Sequence, residues 1–122
     1  MRVGTMFLDE IASLLVPRIK ACSEWFSITT QLVDRHNDLI EIWVKDDGAG
    51  KFEMHDDGAA LEGAREARPE TLRALQALGV AIDETGRLCT TAREENFAPR
   101  VYALAQAISM ASYLEGDSHH AH

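Results

Sequence analysis

Two acid-glycine turns bracket one short strand in the segment Asp46-Asp47-Gly48-Ala49-Gly50-Lys51-Phe52-Glu53-Met54-His55-Asp56-Asp57-Gly58. Aspartate followed by glycine suits a tight turn: the carboxylate bonds its own backbone two residues on, and glycine reaches positive φ without a Cβ penalty. The first turn predicts a hairpin. The second predicts the end of a sheet, because the Ala/Glu/Arg-rich stretch Ala59 to Ala67 that follows has the composition of a helix.

Upstream, Glu24 to Val33 alternates. Phe26, Ile28 and Leu32 fall on one side and Trp25, Ser27, Thr29 and Gln31 on the other, the period of a half-buried strand. Leu39 to Lys45 repeats the pattern. With Asp34 to Asp38 closing a hairpin and Val33 opposite Leu39, Leu32 faces Ile40, Thr30 faces Ile42 and Ile28 faces Val44. Folding back at Asp47-Gly48 then sets Val44 against Phe52 and Ile42 against Met54. Both reversals put the apolar residues on one face, which predicts an antiparallel β-meander.

Helices account for much of the remainder. Phe7, Ile11, Leu14 and Leu15 recur at helical spacing and Ile19 continues the stripe past Pro17, so the chain is expected to open with an amphipathic helix kinked or ended near that proline. Arg68-Pro69-Glu70 starts a short helix with Leu72, Leu75 and Leu78 as its buried stripe and Gly79 as its stop. Val80-Ala81-Ile82 and Arg87-Leu88-Cys89-Thr90 flank Asp83-Glu84-Thr85-Gly86, a small hairpin. Asn96 is expected to cap a last helix whose core face is Phe97, Val101, Leu104, Ala105, Ile108 and Ala111, with Pro99 early enough to be tolerated. The expected fold is α+β: an antiparallel β-meander plus a small hairpin packed by N-terminal and C-terminal helices. At 122 residues and 46% hydrophobic the chain fits one core. A single domain is expected over residues 1–114, with residues 115–122 a flexible His-containing tail.

Charge narrows the partners. Twelve Lys+Arg against 20 Asp+Glu give a formal net charge of -8, so neither direct nucleic-acid binding nor an anionic membrane is expected, and a basic protein surface suits the chain better. No apolar run approaches the ~20 residues that span a bilayer. Cys22 and Cys89 match no metal or redox spacing and read as reduced thiols of a cytoplasmic protein. The histidines of Ser118-His119-His120-Ala121-His122 have no second shell to orient them, and no metal is assigned there.

On the expected register the outer face of the meander collects Trp25, Thr29, Gln31, Glu41, Trp43, Glu53 and His55, with Glu41 opposite His55. Tryptophan is enriched at interface hot spots, so Trp25, Trp43, Glu53, His55, Asp56 and Asp57 form the expected binding surface. A layer of helix covering the two tryptophans is the structural alternative. Catalysis has candidates in Glu41, His55 and Asp57, but a general base also needs a nucleophile or activated water and an oxyanion or metal partner, and the sequence supplies no such set. Glu41 and Lys45 are four apart, which is not the Glu-x-Lys spacing of magnesium nucleases. With no Gly-rich phosphate loop, Ser-centred elbow or Cys/His cluster, no cofactor is expected. Nine acids and four bases lie between Glu41 and Glu70, a solvated acidic face or one that competes with nucleic acid for a basic groove.

The order of elements resembles a bacterial family known as domain of unknown function 1828. The resemblance lies in Leu39-Ile40-Glu41-Ile42-Trp43-Val44 ending a hairpin, in Met54-His55-Asp56-Asp57-Gly58, in Leu75-Gln76-Ala77-Leu78-Gly79-Val80 closing a helix, and in the Asp83 to Gly86 hairpin before a long apolar helix. It spans about Ser23 to Leu114. It implies no activity and carries over no catalytic residue; members resemble stand-alone bacterial and mobile-element proteins. The leading expectation is a non-enzymatic protein-interaction module, open to forming a homodimer. The alternatives are a phage or mobile-element inhibitor of a nucleic-acid-binding defence complex, and a metal-dependent hydrolase or nuclease.

Overall fold

The computed structural model describes residues 19–22, 25–62, 64 and 66–119. Within them β1 (Ile19–Cys22), β2 (Trp25–Val33), β3 (Leu39–Asp46), β4 (Lys51–His55), β5 (Ala81–Ile82) and β6 (Leu88–Arg93) form one antiparallel sheet in the order β1-β2-β3-β4-β6-β5. Helix α1 spans Pro69–Ala77, and α2 spans Phe97–His119 after a 3-10 turn at Glu94–Asn96. The fold is α+β.

One device closes three of the hairpins among the described residues. An aspartate Oδ1 accepts the backbone N–H groups two and four residues on: Asp34 from His36 (2.9 Å) and Asp38 (3.1 Å), Asp47 from Ala49 (2.8 Å) and Lys51 (3.2 Å), Asp83 from Thr85 (2.9 Å) and Arg87 (3.0 Å). The residue three past each aspartate has positive φ: 66° at Asn37, 84° at Gly50 and 87° at Gly86. Asparagine and glycine tolerate that region best, so Asp-x-x-Asn/Gly encodes a turn finished by a left-handed residue.

The meander forms with a register two residues from the expected one. Val33 opposes Leu39 as expected, but Thr29 then opposes Glu41, Ile28 opposes Ile42 and Phe26 opposes Val44. An irregularity between Thr29 and Val33 absorbs the difference. The buried Thr30 hydroxyl donates to the Ile40 carbonyl at 3.0 Å and accepts the Leu32 N–H at 3.2 Å, replacing bonds the ladder loses there. Across the next turn Val44 opposes Met54, not Phe52, because Gly48-Ala49-Gly50 forms the reversal beyond Asp47. A shift of two keeps every side chain on its face, so Ile28, Ile42, Val44, Phe52 and Met54 all remain buried.

The sheet does not end at Asp56-Asp57-Gly58. β4 pairs with β6, Met54 opposite Thr90, and the second hairpin extends the same sheet. Nor do the described residues between 59 and 67 make a helix: turns run through residues 57–62, with positive φ at Asp57, Gly58 and Glu62 breaking the helical path. The expected N-terminal helix lies outside the described residues, but Ile19 is in β1 opposite Ile28 rather than on a helical stripe.

The core lies between the sheet and α2. Phe97, Val101, Leu104, Ala105, Ile108 and Ala111 are all buried, and Phe97 meets Phe52 edge-on at 4.7 Å between ring centres. In α1 Leu75 is buried while Leu72 is exposed; the buried neighbour is Thr71, whose hydroxyl donates to Glu115 at 2.6 Å. That carboxylate also accepts the Arg68 N–H at 2.9 Å, and α2 continues past the expected boundary at residue 114 to His119. Arg100 reaches from α2 to the carbonyls of Leu78 (3.1 Å) and Gly79 (2.8 Å), placing a cation at the C-terminal end of α1. Asn96 closes the 3-10 turn by accepting the Arg93 N–H at 2.7 Å and does not cap α2 from its own start.

Candidate functional site

Strand alternation gives the sheet face away from α2 Trp25, Ser27 and Thr29 from β2, Glu41, Trp43 and Lys45 from β3, Glu53 and His55 from β4, and Cys89 and Thr91 from β6. In the observed register His55 sits between Trp43 and Cys89. Trp43 opposes His55, so the expected Glu41–His55 opposition does not occur, and Glu41 faces Thr29 across β2.

Two cavities divide the expected site residues. One of about 300 Å³ is lined by Trp43 with Asp34, Asp38, Glu41, Asp56 and Asp57. The other, about 520 Å³, is lined by Trp25, Glu53, His55, Asp83, Arg87 and Cys89. Glu41 and Asp57 therefore share one cavity and His55 opens on the other. Glu41, Glu53 and Asp57 are exposed, whereas Trp25 and Trp43 are half-buried. Lys45 Nζ lies 5.8 Å from the centre of the Trp25 ring, a cation-π distance.

His55 is the buried polar centre of the larger cavity, with 8% of its surface exposed. Its ring packs edge-on to Trp25 at 4.7 Å. Nδ1 accepts the Asp57 backbone N–H at 2.9 Å, and Nε2 lies 3.3 Å from Arg87 Nη1. Burial, then the Arg87 charge, push the imidazole below its ordinary value; Asp57, Asp83 and Glu53 act in the opposite sense. Arg87 is anchored through Nε to Asp83 Oδ2 at 2.8 Å. Burial works against the Asp83 charge, but hydrogen bonds from the Arg87 backbone, Thr85 and the Arg87 side chain hold its carboxyl well below the usual range. Burial raises the Cys89 thiol, with Asp83 adding to the shift, so it stays protonated and is a poor nucleophile.

Asp56, expected on the binding surface, is 2% exposed and works inside the fold. Oδ1 accepts the N–H groups of Gly58 (2.8 Å) and Leu88 (2.9 Å), and Oδ2 accepts that of Ala60 (2.8 Å). Burial pushes its pKa up while those three donors pull it back. Sequence reasoning missed Arg87 and Asp83 as neighbours of His55, since they reach it only through the β4–β6 pairing. Their local signal was the aspartate of the Asp83 turn with an arginine four residues on. Among the described residues no group of three His, Cys, Asp or Glu side chains is arranged to hold a metal ion. No described helix is long and apolar enough to cross a membrane.

A family model described as domain of unknown function DUF1828 matches residues 30–110, from within β2 into α2. No curated protein and no solved structure matches the chain.

Proposed function

The chain belongs to the family domain of unknown function DUF1828, and within it we propose that this protein is a non-enzymatic interaction module that docks the basic surface of a partner protein on Trp43. The carrying observation is the half-buried indole of Trp43 in one cavity with Asp34, Asp38, Glu41 and Asp57. An indole face bordered by carboxylates suits a lysine or arginine side chain, which gains both cation-π and Coulomb attraction. Two further observations favour binding over catalysis. The imidazole of His55 opens on a different cavity from Glu41 and Asp57, and burial works against the Cys89 thiolate.

The test is a titration of the purified chain against the partner it recovers from its host. Trp43→Ala is expected to weaken binding by about tenfold or more, and Glu41→Lys with Asp57→Lys to weaken it further. Binding left intact by all three changes would overturn the reading.

The exposed carboxylates Glu41, Glu53 and Asp57 favour a second reading as a phage or mobile-element inhibitor that occupies the basic groove of a nucleic-acid-binding complex. Such binding weakens steeply with added salt and is competed by the nucleic acid. Salt-independent binding without competition would remove it.

A further inference from the structure

The imidazole of His55 has more donors aimed at it than it can accept. A neutral imidazole carries one N–H and one acceptor lone pair. Yet a backbone N–H, from Asp57, points at Nδ1 from 2.9 Å, and a guanidinium nitrogen, Arg87 Nη1, lies 3.3 Å from Nε2. Whichever nitrogen holds the proton, one of those contacts sets donor against donor. The Asp57 contact is the shorter and belongs to a turn fixed by Asp56, which places the ring proton on Nε2 and the surplus donors at Nε2 and Arg87. Asp83 does not relieve the conflict, because its Oδ2 is engaged with Arg87 Nε and its Oδ1 with Thr85 and the Arg87 backbone. Both surplus donors line the 520 Å³ cavity, whose wall on one side is the Trp25 ring.

We propose that this cavity is a carboxylate-binding site, in which one ligand oxygen accepts from His55 Nε2–H and the other from the free edge of the Arg87 guanidinium, with Trp25 against the attached carbon chain. Two N–H donors on neighbouring side chains suit a planar, two-oxygen acceptor. The lining sets two cations, Lys51 and Arg87, against two carboxylates, Glu53 and Asp83, a balance that disfavours a highly charged anion such as phosphate. The site is independent of the Trp43 cavity and of any protein partner found there. A carboxylate reaches it either as a free small acid or as the end of a peptide chain.

The experiment is an NMR titration of the full chain, following the His55 Nε2–H and Arg87 side-chain signals with acetate and with N-acetylalanine. Chloride at equal ionic strength serves as control. Saturable shifts at both residues with either acid, together with an Nε2–H tautomer, are expected; tighter binding of N-acetylalanine assigns a chain end and equal binding a free acid. Arg87→Gln is the variant of choice because the Asp83 turn keeps its backbone N–H donors without the guanidinium. It is expected to weaken acetate binding by about tenfold. Shifts no larger than those with chloride, an Nδ1–H tautomer, or undiminished binding in Arg87→Gln would each overturn the proposal.

Discussion

Asp56 and Leu88 exchange two hydrogen bonds, but only one is a main-chain ladder bond: the Asp56 N–H donates to the Leu88 carbonyl at 3.1 Å, while the Leu88 N–H donates to the Asp56 side chain at 2.9 Å. The carboxylate stands in for its own carbonyl, which accepts from Ala59. One side chain thereby ends β4, bends the chain into the following turn and joins that turn to β6. It also holds the Asp57 N–H against His55.

Asp56→Ala is expected to leave three N–H groups, two of them buried, without their acceptor and to cost about 3–5 kcal/mol. Urea unfolding followed by circular dichroism measures it. A loss below about 1 kcal/mol would mean that water replaces the carboxylate at no great cost.

Thr30→Val keeps the shape of a fully buried side chain and removes the hydroxyl that closes the β2 irregularity. The expected loss is about 1–3 kcal/mol, since the Leu32 N–H and the Ile40 carbonyl both lose their partner. Faster hydrogen exchange at Leu32, relative to Ile28, would place the damage at the irregularity and distinguish it from general loosening.

Stability is expected to fall as pH drops below about 6.5. The folded state holds His55 below its ordinary value of 6.5, so the unfolded chain binds the proton first and gains from acidification. The contribution is complete above 6.5 and lost towards the lower folded value. Denaturation midpoints measured between pH 7.5 and 5.5 test the sign, and His55→Gln should flatten that part of the profile.

Cys89 is expected to alkylate several-fold more slowly in the folded chain than in urea at the same pH, because burial and Asp83 disfavour its thiolate. Peptide mapping after iodoacetamide treatment reads this residue apart from Cys22. Equal rates in the two states would contradict the raised thiol.

Much of the fold was legible locally. Alternation in residues 25–33 and 39–45, the Asp-x-x-Asn/Gly turns, and the apolar face from Phe97 to Ala111 all follow from side-chain period and turn chemistry, which act over a few residues. The register erred by two in both hairpins for a related reason. Period-two alternation specifies which face a residue takes, while a shift of two leaves that face unchanged. Only the buried Thr30 hydroxyl and the three-residue reversal after Asp47 select the actual pairing. In residues 59–67, helix-forming composition was outweighed by Asp56, whose carboxylate holds a different backbone path.

The candidate site was half visible. Trp25, Thr29, Glu41, Trp43, Glu53 and His55 were read, with Gln31, as the outer face of the meander, and strand alternation puts these six on one side of the sheet. Its division into two cavities, the withdrawal of Asp56 into the fold and the arrival of Arg87 beside His55, 32 residues away in the chain, depend on β6 pairing with β4. By itself the sequence determined where the chain turns and which side chains face the core, because periodicity and turn geometry are local properties. The tertiary structure alone decided which turn lies against which strand, and with it the meaning of the second acid-glycine turn. There a buried carboxylate satisfies the distant Leu88 N–H as well as two donors of its own turn, whereas the same residue type in the exposed hairpins closes only its own loop.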